Sequence, residues 1–247
     1  MSFAVPKDHP RYASLAARHL LEDGVSQGIT TPTGLVAHGR GEAFDYLLGE
    51  QTHAFAMQAI RAAAARLILA QKAVISVNGN TAVLTPAEMI ALAREAGALL
   101  EINIFHDEAG RRERIAERFR SLGADILGVN PDATIPGLSS SRARVDSRGM
   151  LDADVVIVSL EDGDRTEALK RGGKTVIAID LNPMSRTPQM ADIAIVDNAT
   201  RAFPELTKAV SELRVMPRNE LASIAESFDN RAILEQAEHA IRLGTKR

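Results

Sequence analysis

Four short segments of the 247-residue chain combine glycine or a strand end with residues that bind anions or polar oxygens. In His38-Gly39-Arg40-Gly41-Glu42-Ala43-Phe44-Asp45-Tyr46 an arginine stands between two glycines. Backbone without side chains can come close to an anion there while the guanidinium forks onto it. Gly41 is expected to open a helix whose amino-terminal dipole adds to the attraction. Arg11 and Arg18, two helical turns apart, either add cations to that site or form an exposed basic stripe. Asn78-Gly79-Asn80 is either a tight turn or a loop in which Gly79 lets backbone N–H groups approach a phosphate while the amides orient substrate oxygens.

Asp180-Leu181-Asn182-Pro183-Met184-Ser185-Arg186-Thr187 puts a carboxylate at a strand's end, where it can accept hydrogen bonds from ribose hydroxyls. Arg186 and Thr187 can donate to phosphate oxygens. The bland alternative is an irregular loop with an Asx-turn. In Leu160-Glu161-Asp162-Gly163-Asp164-Arg165 the closely spaced acids can gather Mg²⁺, with Asp162 and Asp164 as ligands. Equally, Asp164 caps a helix and the others are solvated. The histidines at 9, 19, 38, 53, 106 and 239 form no i, i+4 metal pair. Only His38 and His106 sit beside polar loops. A Walker-type phosphate loop, a Gly-x-Gly-x-x-Gly after a strand and a Gly-x-Ser-x-Gly elbow are all missing, which disfavours P-loop kinases, standard dinucleotide dehydrogenases and serine hydrolases.

These segments need a frame. Pro10 is placed to open a helix, and Ala54–Gln71 has the spacing of a long Ala-rich amphipathic one. From residue 73 the period changes. Apolar runs at 73–77, 99–105, 125–127, 154–160, 174–179 and 192–196 read as strands. The stretches starting at Thr85-Pro86-Ala87-Glu88, the charged segment to Arg120, 164–170 and 200–213 read as helices. Such alternation predicts an α/β fold, a Rossmann-like, mostly parallel sheet with helices on both faces and an N-terminal helical segment. We expect one domain over 1–247, with a helical portion to 71, the core over 72–214 and a helical portion from 215. Ligands of such sheets bind beyond the carboxyl ends of the strands, where the polar loops fall.

The net charge of −3 with interspersed signs argues against nucleic-acid binding. Absence of cysteine removes thiolate nucleophiles and Cys-held metals. The charged N-terminus does not suit a signal peptide, and no long apolar window suits a membrane span, so the cytoplasm is the expected location.

Several strings in fixed order resemble the archaeal phosphopantothenate synthetase family, the 4-phosphopantoate–β-alanine ligases of coenzyme A biosynthesis. They are Pro6–Tyr12, Gly34–Glu50, Val74–Asn80, Ile135–Leu138, Leu160–Arg165 and Ile179–Pro183. The resemblance implies ATP, 4-phosphopantoate and β-alanine as substrates, Mg²⁺, release of AMP and pyrophosphate, and a homodimer. It implies nucleotide contacts from Arg18, Arg40, Asp180, Leu181, Asn182, Arg186, Thr187, Asp197 and Asn198. An adenylating ligase would use Arg40 against developing charge, His38 as proton acceptor from the amine, and Asn78, Gly79 and Asn80 for phosphopantoate. The segment after Phe105 is less basic than is expected of relatives, so Arg111 or Arg112 must supply charge there. The dimer contact is expected on the N-terminal helices, because the Ala-rich helix has apolar surface to spare. A phosphotransferase releasing ADP and a non-catalytic nucleotide sensor are the readings from other classes.

Overall fold

The computed structural model describes residues 5–108, 110–138 and 141–244. Residues 1–4, on which part of the reading of the N-terminus rests, and Ala109, in the segment after Phe105, lie outside them. The chain opens with helices α1 (Tyr12–Ser26), α2 (Pro32–Leu47) and α3 (Ala54–Leu69). At the start of α2 the Thr31 hydroxyl accepts Gly34 N–H at 3.2 Å, and Pro32 takes the first helical position. The helix then runs unbroken through Gly39, Arg40 and Gly41. Gly41 therefore does not open a helix, because the cap at Thr31 has already started one. Interior glycines cost about 1 kcal/mol each. A Cβ at Gly41 would make only ordinary contact with Leu181, at 3.7 Å.

The Ala-rich α3 is the centre of one packing layer. Ala56, Ala59, Ala62, Ala63, Ala64 and Ala65 are all buried within the chain. The expected surplus of apolar surface on this helix is therefore wrong: the chain's own C-terminal helices cover it.

The rest alternates as expected: β1 (Ala73–Val77), α4 (Gly79–Leu84), α5 (Pro86–Ala96), β2 (Leu99–Ile102) and α6 (Arg111–Ser121). A small antiparallel pair, β3 (Ala133–Thr134) and β4 (Arg144–Val145), leads to a π-helical turn at Ser147–Leu151. Then follow β5 (Val155–Ser159), α7 (Gly163–Arg171), β6 (Thr175–Ile179), α8 (Arg186–Met190), β7 (Ile193–Ile195), α9 (Ala199–Leu213), α10 (Arg218–Glu226) and α11 (Asn230–Leu243). The strand expected at 125–127 is only a single bridge between Leu127 and Glu101. Among the described residues no helix is long and apolar enough to cross a membrane.

The five main strands are parallel, in the order β2-β1-β5-β6-β7. Side chains alternate across the sheet. Val74, Val156, Val158, Val176 and Ala178 meet Ala168 and Leu169 of α7 together with Ile135, Val145 and Met150. Ile75, Val77, Ile157, Ile177 and Ile179 join the core built by α3, α5 and α9. The chain passes from β1 to β2 on one side, then returns across β1 to place β5 on its other side. That reversal opens a crevice at the carboxyl ends of β1 and β5, the usual ligand position in a doubly wound sheet.

Candidate active site at the sheet's switch point

A cavity of about 300 Å³ occupies that crevice. The ends of three strands supply Asn78, Gly79 and Asn80, then Asn103 to His106, then Leu160, Glu161 and Asp162. One flank of α2 closes it with Gly34, Ala37 and Arg40, and Arg111 comes from the start of α6.

Asn78-Gly79-Asn80 is not a tight turn but the start of α4. Asn78 Oδ1 accepts the N–H groups of Asn80 and Thr81, both at 3.0 Å, and Thr81 Oγ1 accepts Asn78 N–H at 3.0 Å. This capping box satisfies the donors that a helix start leaves open. Asn78 Nδ2 donates to the Ser159 carbonyl at 2.7 Å, tying β1 to β5 across the switch point. Asn80 Nδ2 donates to the Gly34 carbonyl at 2.8 Å and so fixes α2. Both amides thus build the cavity wall. Gly79 is glycine for close approach: a Cβ there would collide with Arg111 Nη2 and stand 2.5 Å from the Ile29 carbonyl oxygen.

Arg111 is buried, with Nε donating to Ile29 O and Nη1 to His106 O, both at 2.8 Å. Burial pushes its pKa down from the ordinary guanidinium value, yet the group stays charged. Arg112 turns away from the cavity, bonding Asp107, Ile102 O and Gly128 O. Of the two arginines, Arg111 is therefore the one that brings charge to the cavity. Arg40 is exposed on α2 between glycines that leave its stem uncrowded, and it also lines the cavity.

Asn103 has no counterpart among the expected site residues. It is buried at the cavity, receives Ser76 Oγ–H at 3.0 Å and donates Nδ2–H to Glu101 at 2.9 Å. Glu101 is fully buried and also accepts Asp146 N–H at 3.1 Å and Met150 N–H at 2.5 Å. Desolvation raises its pKa against those bonds. A polar residue directly past β2 was the only signal in the sequence.

A smaller cavity of about 20 Å³ lies beneath α2, lined by His38, Gly41, Glu42, Asp180, Leu181, Asp197 and Asn198, and shares Leu160 with the larger one. Burial lowers the pKa of His38, and its Nε2 has no hydrogen-bond partner. His38 lines the smaller cavity beside Asp180 rather than the larger one. Asp180 is held by Asn182 N–H at 2.9 Å and Ser185 Oγ–H at 2.8 Å, and desolvation raises its pKa. The Asx-turn geometry and the strand-end carboxylate are therefore both present.

The remaining expected contacts are engaged within the chain. Arg18 donates to Glu42 at 2.7 and 3.1 Å and to Tyr46 Oη at 3.1 Å. Arg186 pairs with Asp164 and Glu167, and its stem lies over Gly163. Thr187 Oγ1 donates to the Glu161 carbonyl at 2.7 Å. Asp197 is buried, accepts Thr52 Oγ–H at 2.6 Å and pairs with Arg201 at 2.6 Å. Desolvation raises its pKa despite that cation. Asn198 caps α9 and donates Nδ2–H to Asp45 at 2.8 Å.

The acidic loop does not fit a protein-held metal. Asp162, not Asp164, caps α7, accepting Arg165 N–H at 3.0 Å, while Asp164 is paired with Arg186. Among the described residues no group of three His, Cys, Asp or Glu side chains could hold a metal ion.

Sheet topology and cavity define an α/β protein with a crevice at its switch point that Arg40 and Arg111 both line. The chain belongs to the phosphopantothenate/pantothenate synthetase family, whose model matches residues 55–244. A relative from Thermococcus onnurineus, named 4-phosphopantoate–β-alanine ligase, is 54% identical over 92% of this chain and 87% of its own length. Relatives of the same name from Methanosarcina mazei and Methanospirillum hungatei are 49% and 41% identical, over 94% and 96% of this chain and 92% and 96% of theirs.

Proposed function

We propose that the protein is an ATP-dependent ligase that joins 4-phosphopantoate to β-alanine, releasing AMP and pyrophosphate, in the cytoplasmic synthesis of coenzyme A. The observation that carries this reading is the pairing of Arg40 and Arg111 in one cavity at the switch point, in a chain whose relatives are named for that reaction.

A carboxylate is a poor electrophile, and its oxygen a poor leaving group. Attack of the phosphopantoate carboxylate on the ATP α-phosphorus forms an acyl-adenylate and expels pyrophosphate. Attack of the β-alanine amine on the acyl carbon then forms the amide and expels AMP. No enzyme nucleophile is needed, in keeping with the absence of cysteine. The first step brings two anions together, so cations must neutralise them and meet the charge growing on the α-phosphate.

Arg40 is assigned that charge, and Arg111 the phosphate of phosphopantoate. Asp180, Leu181 and Asn182 border the nucleoside, with His38 beside them. Arg18, Arg186 with Thr187, and Asp197 with Asn198 complete the nucleotide site. Arg18 would have to exchange Glu42, and Arg186 its surface carboxylates, for phosphate oxygens. Gly79 lets Arg111 pack close beside the phosphopantoate site, and Asn78 and Asn80 hold the wall. Mg²⁺ belongs to the ATP substrate in this account.

The test is incubation with ATP, Mg²⁺, 4-phosphopantoate and β-alanine, with products resolved by mass. Phosphopantothenate and AMP in equal amounts are expected. ADP would favour a phosphotransferase, and binding without turnover a sensor; either contradicts the proposal.

A further inference from the structure

Asn103 stands one residue past β2 and borders the larger cavity at 2% exposure. Its backbone N–H donates to Val77 O at 2.8 Å, which carries the ladder between β1 and β2 past the last paired residues. Ser76 stands opposite Glu101 in that ladder. Glu101 and Asn103, two residues apart, lie on one face of the strand, and Ser76 meets them there from β1.

The side-chain amide of Asn103 is gripped at both ends. Oδ1 accepts Ser76 Oγ–H at 3.0 Å, and Nδ2 donates to Glu101 Oε1 at 2.9 Å. Glu101 accepts at both of its oxygens, since Asp146 N–H reaches Oε1 at 3.1 Å and Met150 N–H reaches Oε2 at 2.5 Å. It therefore fixes which end of the amide is nitrogen. The turn at Ser147–Leu151 leaves room for this carboxylate, because a Cβ at Gly149 would collide with Oε2. Taking a carboxylate wholly out of water is costly. Here it orients one amide at the edge of a cavity.

An asparagine amide offers two N–H groups and two lone pairs. The chain takes one of each from Asn103, and the second N–H of Nδ2 meets no acceptor among the described residues. A desolvated donor left unpaired is unfavourable, so an oxygen of a bound ligand completes it. Arg40 and Arg111 line the same cavity and suit an anionic ligand. Phosphopantoate brings carboxylate, hydroxyl and phosphate oxygens. We propose that Asn103 determines specificity for the acid substrate, its second Nδ2–H donating to an oxygen of phosphopantoate, with Glu101 as the positioning residue that aims it. This rests on the ligase reading above.

Steady-state rates of the purified full chain test it, with phosphopantoate, ATP and β-alanine varied in turn. For N103A the KM for phosphopantoate should rise roughly tenfold, the scale of one lost hydrogen bond, while the other two change by less than about twofold. N103S, which keeps a donor on a shorter stem, should show a smaller rise in the same parameter, and serves where N103A does not fold. E101Q keeps the shape but replaces one accepting oxygen with a donor, so it too should raise the KM for phosphopantoate above the others. A merely structural role for Glu101 would instead lower the melting temperature and leave that split between substrates absent. Unaltered phosphopantoate dependence in N103A and N103S, or a loss that falls equally on all three substrates or on β-alanine, overturns the proposal alone. A wild type that forms no amide overturns it together with the ligase reading.

Discussion

Arg40 is where the proposed function can be tested apart from the fold. It is exposed on α2 and lines the cavity, so truncation should leave the fold alone. We expect R40A to lose about 10²–10³-fold in turnover, the usual cost of removing a donor to developing charge. Its melting temperature should match wild type, and a loss below about threefold would reassign the residue. His38 makes the opposite kind of prediction. Burial lowers its pKa, so the folded state binds the proton less well than the unfolded chain. Its contribution to stability is complete above the unfolded value of about 6.5 and is lost as pH falls from there toward the lowered folded value. Melting curves of H38N should therefore depend less on pH below about 6.5 than those of wild type. Parallel curves for the two proteins would contradict the assignment.

At the scale of elements, the carboxyl ends of the strands were legible because apolar runs and polar loops alternate in order. Asp180, Asn182 and Gly79 were found at those ends for that reason. What the sequence hid was which donors the chain keeps for itself. Arg186 and Thr187 look like phosphate ligands, yet pair with Asp164, Glu167 and the Glu161 carbonyl, contacts that join α7 to α8 across the sequence. Gly41 was expected to open a helix, but the Thr31 cap starts α2 earlier and the helix runs through both glycines against their local preference. Asn103 escaped notice because one polar residue after a strand carries no pattern. Gly79 is where element geometry and site chemistry meet. G79A would force Arg111 and the Ile29 carbonyl apart, and we expect a loss of about 1–3 kcal/mol in unfolding free energy, read from urea melts. A neutral G79A would mean that the α4 start yields more readily than its capping box implies.

For the whole molecule, the packing of α3 takes the Ala-rich helix out of the expected contact and leaves α2 among the N-terminal helices. On α2, Val36, Gly39, Ala43 and Leu47 form an exposed stripe of small and apolar residues, with Val36 66% and Leu47 47% exposed. A homodimer across this stripe is the arrangement we propose. Light scattering at micromolar concentration should give twice the chain mass, falling to one chain in V36D/L47D; a monomeric wild type would contradict it. The central claim, that this crevice activates a carboxylate by adenylation, is tested most directly by following the carboxylate oxygens. With phosphopantoate labelled in both carboxyl oxygens with ¹⁸O, an acyl-adenylate delivers one labelled oxygen to AMP for each amide formed. That label in AMP, and none in pyrophosphate or inorganic phosphate, is the expected result. Label in inorganic phosphate alongside ADP would mean an acyl-phosphate, and would contradict the account.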